Sequence, residues 1–336
     1  MQKQRLEYID QLKGFAILMV VMGHILQFCF KENAPSLTFK VIMSFHMPLF
    51  AFLSGLMFTT IYDFKAIALK FKKQSNKLLI PFISFLVIYA YTIRPDEDML
   101  THPFKLGLWY LLFLWQCYFL THIYDAMLLK LTIHKSKRIN IIMDIAWLLF
   151  TYLFFRATFS HLAQDVSGTI GIIHLYKLYP FFYIGCIIKR YSLFQTLFSC
   201  KQVYSDLSFI LWIVMFVISI YLYSSPTLVL IIGCLAVYPI VSWFYRNGGG
   251  GEKSRNGRTL ALFGRYSMEI YILHRFLTST CNLTSIGKYV SITCSLTIEI
   301  VIALFLSIVI SYICIYISRF IRLNKILSIV LLGDKN

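Results

Sequence analysis

The first apolar stretch of the chain carries the residues best placed to do chemistry. It reads Tyr8-Ile-Asp-Gln-Leu-Lys-Gly-Phe-Ala-Ile-Leu-Met-Val-Val-Met-Gly-His24, and Asp10, Lys13 and His24 interrupt otherwise apolar sequence. An ionisable side chain inside a membrane costs at least about 2.5 kcal/mol near a helix centre, so each is a functional candidate by default. Lys13 and His24 lie eleven residues apart. At about 100° and about 1.5 Å per residue they share a helix face, roughly 16 Å from one another. Lys13 then sits near the cytoplasmic interface and His24 deeper, with Gly14 and Gly23 leaving room beside each. The arrangement suits a long ligand with an anionic head and a reactive tail, the shape of an acyl-coenzyme A. The bland alternative is that Lys13 snorkels to the interface and His24 hydrogen-bonds a neighbouring helix.

Two further stretches add polar groups. Phe45-His-Met-Pro-Leu-Phe-Ala-Phe-Leu-Ser-Gly55 places His46 near the outer end of a second helix, Pro48 in its first turn, and Ser54-Gly55 where another backbone can pack closely. Phe263-Gly-Arg-Tyr-Ser-Met-Glu-Ile-Tyr-Ile-Leu-His-Arg275 opens a ninth helix. There Arg265 and Glu269 are spaced to pair, while His274 lies about 140° round from Glu269. Arg156, Lys177 and Glu299 also fall within apolar runs but have no companion motif. No CxxC pair and no Cys/His spacing suits zinc, so no metal is expected, and the cysteines in apolar runs read as small hydrophobes.

The elements that must position these residues follow from composition. Of 336 residues, 58% are hydrophobic and only 14% charged, with mean hydropathy +0.70. Ordinary globular chains carry about 45–50% apolar and about 25% charged residues. Lipid must therefore be the solvent for most of this chain, which excludes a secreted domain, a disordered chain and a DNA-binding module. Ten apolar segments are long enough to be read as helical spans, near 10–30, 41–62, 78–93 (a short one), 106–124, 140–158, 170–188, 206–224, 228–245, 266–284 and 291–318. With the N-terminus in the cytoplasm, 23 Lys and Arg fall on the cytoplasmic side and 5 outside. One span more or fewer would invert every later loop, so this bias predicts an all-α polytopic bundle with both termini inside. The net charge of +17 is then mostly topology rather than a signal for nucleic acid. The N-terminus lacks a short cleavable h-region and reads as a retained helix. Residues 246–258, rich in glycine, read as a flexible cytoplasmic loop; they lack the GK[ST] ending of a phosphate cradle. The whole of 1–336 reads as a single transmembrane domain.

In the order and spacing of these motifs the chain resembles the membrane-bound acyltransferase 3 family. Asp10, Lys13, Gly14, Gly23 and His24 match that family's first-helix pattern, and Phe45 to Gly55 its FHMPLF…SG segment. Lys72, Lys73 and Lys77 through Leu78-Leu-Ile-Pro81 match a basic stretch entering a helix, Leu108-Trp-Tyr-Leu111 a further element, and Gly264 to His274 the C-terminal signature. Where many members carry arginine, this chain has Lys13 and Asn76-Lys77, which supply charge without a bidentate fork. The resemblance implies transfer of an acyl group, acetyl first among the choices, from acyl-CoA to a hydroxyl of a carbohydrate, a cell-surface or lipid-linked polysaccharide. It implies a multi-pass protein of the bacterial inner membrane and leaves self-association open. Lys13, Lys73 and Lys77 would hold the phosphates of acetyl-CoA. His24 would act as general base or acyl relay, with Asp10 orienting Lys13, and His46, Ser54, Glu269 and His274 would line the acceptor path. A secondary transporter or flippase-like protein is the alternative, though no repeat relates the two halves of the chain.

Overall fold

The structure, a computed structural model, describes residues 7–28, 36–61, 63–92, 102–130, 137–221, 226–248, 255–280 and 296–334. Among them there is no strand. The helices are α1 (Glu7–Phe28), α2 (Leu37–Leu56), α3 (Phe64–Thr92), α4 (Trp109–Lys130), α5 (Lys137–His161), α6 (Gln164–Ile170) and α7 (Ile172–Arg190). They continue with α8 (Phe194–Phe198), α9 (Gln202–Tyr221), α10 (Pro226–Gly248), α11 (Arg255–Arg265), α12 (Ser267–Thr280), α13 (Leu296–Leu323) and α14 (Lys325–Leu332).

A helix stands at each of the ten expected spans. Seven of them (α1, α2, α3, α5, α9, α10 and α13) are long and apolar enough to cross a membrane. An eighth is gained if α6 and α7, bent by 42° at Gly171, count as one. Gly171 takes φ +73° and closes α6 by donating its N–H to the Ser167 carbonyl, a conformation glycine adopts freely. The chain is thus a multi-pass membrane protein, all-helical among the described residues.

Three sequence expectations are corrected. The third span is not short: α3 runs for 29 residues and includes the whole basic run from Lys65 to Lys77. Lys, Ala, Leu and Gln are good helix formers, and no glycine interrupts them. At about 1.5 Å per residue α3 is about 43 Å long, more than the roughly 30 Å of hydrocarbon in a bilayer. Pro48 is not in a first turn but in the interior of α2, and His46 likewise lies mid-helix rather than near an end. The lost N–H at Pro48 strips the Ser44 carbonyl of its helical donor, a defect that membrane helices accommodate better than soluble ones. The expected loop 246–258 is shorter than anticipated, because Arg246–Gly248 continue α10 and Arg255–Arg258 begin α11. Cys29 and Cys294, two of the cysteines in apolar runs, lie outside the described residues.

The chain divides into two compact units, Met1–Leu53 with Phe194–Phe320, and Ser54–Leu193 with Ile321–Asn336. In the first, α1 is buried on most of its circumference, from Leu12 through Ile17, Val21 and Ile25. That is why it shows no polar stripe: a helix apolar all round is a central one. The outer helix α9 shows the converse, with Leu207, Ile210, Leu211, Val214 and Val217 exposed, as expected of a lipid-facing surface. In the second unit α14 lies against α3, where Ser84 Oγ donates to the Val330 carbonyl at 2.6 Å. Its first turn is capped by Asn324, whose side chain accepts from the N–H groups of Ile326 and Leu327.

Candidate active site

The first unit holds most of the expected site, built around α1. Its neighbour α11 approaches until backbones touch. A Cβ on Gly14 would lie 1.8 Å from the Leu260 carbonyl oxygen, and one on Gly264 1.8 Å from that of Asp10. These two glycines therefore set the distance between the helices. The close approach expected beside Lys13 is made by the backbone of α11. Gly23 is different, since a Cβ there would meet Ile42 Cγ2 at an ordinary 3.5 Å. On another side α2 is held by stacking of Phe15 on Phe45, with ring centroids 6.0 Å apart.

At one end of α1, buried Asp10 lies 3.6 Å from the Nε of Arg265, which is half exposed. A pair so open to water contributes little stability but fixes the facing ends of α1 and α11. Toward the other end, His24 Nδ1 lies 2.7 Å from His274 Nε2. Their rings are 4.9 Å apart and tilted by only 11°. His274 is fully buried, and its Nδ1 lies 2.8 Å from the Ile270 carbonyl of the preceding turn. His24 keeps partial exposure, as does Lys13 three turns away on α1. His46 is buried on α2, its Nδ1 2.8 Å from the Ile42 carbonyl. Glu269 is buried on α12.

Sequence reading did not single out Arg275. Its guanidinium lies 3.8 Å from the ring centroid of Phe28, and Phe28 in turn touches the His24 ring. This is a close cation–π contact. The signal was Arg275's place immediately after His274.

Ser54, Lys73 and Lys77 belong to the second unit. Ser54 Oγ is 3.0 Å from the Tyr110 hydroxyl, while Lys73 and Lys77 are exposed on α3. Arg156 and Lys177 are likewise exposed. This unit also contains a buried charge cluster that counting only Lys and Arg conceals. Arg190, 7% exposed, bonds Asp125 at 2.6 Å and pairs with Asp144. Tyr183 and Tyr191 both donate to Asp144, at 2.8 and 2.7 Å. One arginine thereby ties α4, α5 and α7 together. Among the described residues no group of His, Cys, Asp and Glu is arranged to hold a metal ion.

A family model described as an acyltransferase domain matches residues 6–316 of the 336. The chain belongs to the acyltransferase 3 family. No curated protein and no solved structure matches it. The matched stretch contains every candidate above, from Asp10 to His274. In this acyltransferase, the family assignment and the apolar helices together establish a membrane-embedded transferase of acyl groups.

Proposed function

We propose that the protein transfers an acetyl group from acetyl-CoA to a hydroxyl of a carbohydrate, a cell-surface or lipid-linked polysaccharide, in a bacterial inner membrane. The observation that carries this reading is His24. It is a partly exposed imidazole deep on the central helix, supported from behind by a second, buried imidazole. Such a group can accept the proton of an attacking hydroxyl. Lys13, on the same face of α1, holds the phosphate end of the donor. Lys73 and Lys77 on α3 attract the anionic donor to the cytoplasmic side. Asp10 secures the α1–α11 end that carries Lys13, and His46, Ser54, Glu269 and His274 are assigned to the acceptor side. No metal takes part in this scheme.

The test is thioester turnover. Protein purified in detergent or reconstituted in vesicles should release free CoA from acetyl-CoA when carbohydrate acceptor is supplied, and label the acceptor. Uptake or flipping of the carbohydrate without any thioester cleavage would overturn the reading in favour of transport. Loss of O-acetyl groups from the surface glycan of a deletion strain would identify the acceptor.

A further inference from the structure

With His274 neutral, the hydrogen-bond chain through it has one consistent arrangement of protons. The Ile270 carbonyl can only accept, so His274 Nδ1, 2.8 Å away, must carry a hydrogen. A neutral imidazole has one N–H, which leaves His274 Nε2 with a bare lone pair. That nitrogen lies 2.7 Å from His24 Nδ1, so the hydrogen between the rings belongs to His24. We infer that His274 is a positioning residue, which through the Ile270 carbonyl holds His24 in its Nδ1–H form and confines proton exchange to His24 Nε2.

Three observations converge on this. His274 is fully buried and His24 is not, so the outer ring is the one a substrate can meet. The near-parallel rings fix the orientation of His24 as well as its proton. The carbonyl that sets the chain belongs to a residue buried in the same helix, one turn before His274, so it cannot drift from its ring. A base needs its lone pair on the nitrogen facing the substrate, and the partner on the other nitrogen decides this. This inference rests on the proposal that His24 takes the acceptor proton, and it moves His274 from the acceptor path to a place behind the base.

The test uses the full-length protein, labelled with ¹⁵N on its histidine rings and reconstituted in lipid. The His24 signals are assigned by their loss in His24→Asn. Wild type should show His24 protonated on Nδ1 and bare on Nε2. His274→Ala should lose that preference, whereas His274→Gln, whose Oε1 can accept from His24 Nδ1, should keep it. In turnover, His274→Ala should lower kcat by about 10²-fold or more while leaving KM for acetyl-CoA nearly unchanged. His274→Gln should restore most of that loss. A wild-type His24 protonated on Nε2 overturns the inference, and so does a folded His274→Gln matching His274→Ala in spectrum and kcat. Absence of thioester turnover in wild type would count against the proposed reaction alone, because the ring spectrum still decides the role of His274.

Discussion

His24 and His274, 250 residues apart in sequence, meet through a 2.7 Å contact between ring nitrogens. The pair joins the first helix to the C-terminal motif, and it sets the proposed base on the central helix of the first unit.

The first expectation concerns His24 itself. His24→Ala should reduce acetyl transfer by about 10²–10⁴-fold, the usual contribution of a general base. Its melting temperature in detergent should stay close to wild type, since the ring is partly exposed. A silent His24→Ala in a turnover assay would remove the enzyme's proposed base.

Glycine positions on α1 and α11 should differ in sign. Gly14→Ala and Gly264→Ala each force a Cβ to 1.8 Å from a backbone carbonyl. Each should cost about 1–3 kcal/mol or more, as overpacking does. Gly23→Ala meets only a methyl at 3.5 Å and gains helix propensity, so it should be neutral or stabilising by up to about 1 kcal/mol. Thermal unfolding of the three variants side by side would check the order.

Arg190 should matter for folding rather than turnover. Removing one member of a buried ion cluster strands the others, at about 3–5 kcal/mol. Arg190→Ala should therefore lower stability sharply. Arg190→Lys should recover only part of the loss, because one ammonium cannot reproduce a fork that reaches Asp125 and Asp144 at once. Equal stability of Arg190→Lys and wild type would show that charge alone suffices.

The α3 lysines should act on donor capture. The double charge reversal Lys73→Glu with Lys77→Glu should raise KM for acetyl-CoA and leave kcat nearly unchanged. The effect should shrink with added salt, since exposed charges are screened over about 10 Å at 0.1 M. A change in kcat that salt does not alter would contradict a role in attraction.

Much of this was legible in the residues. Lys13 and His24 announced themselves because charge in an apolar run is costly, and the ten apolar segments each became a helix. The joining of His24 to His274 was not legible. Helical periodicity relates residues on one helix, and nothing in it says which distant helix supplies a neighbour. Asp125, Asp144 and Arg190 were hidden for the same reason, as each looks like an isolated boundary charge until three helices bring them together. Pro48 misled because proline at a helix start is the soluble-protein habit, and a membrane helix tolerates it in the interior.

The contacts along α1 also bear on how often the chain crosses the bilayer. Asp10 precedes His24 on α1 as Arg265 precedes His274 downstream, so α1 and the α11–α12 run point the same way. Two segments can share a direction only if the chain between them crosses the bilayer an odd number of times. Between Phe28 and Arg255 the helices apolar enough to cross are α2, α3, α5, α9 and α10, with α6–α7 as a sixth. If α6–α7 counts as one crossing, these described helices make six, which is even. Parity then asks for one more, and α4 is the remaining described helix of sufficient length, made less apolar by Gln116, His122 and Asp125. In a cysteine-free background, Asp98→Cys and Ser136→Cys should react with an impermeant thiol reagent from opposite faces of the membrane. Labelling of both from one face would mean that α4 does not cross.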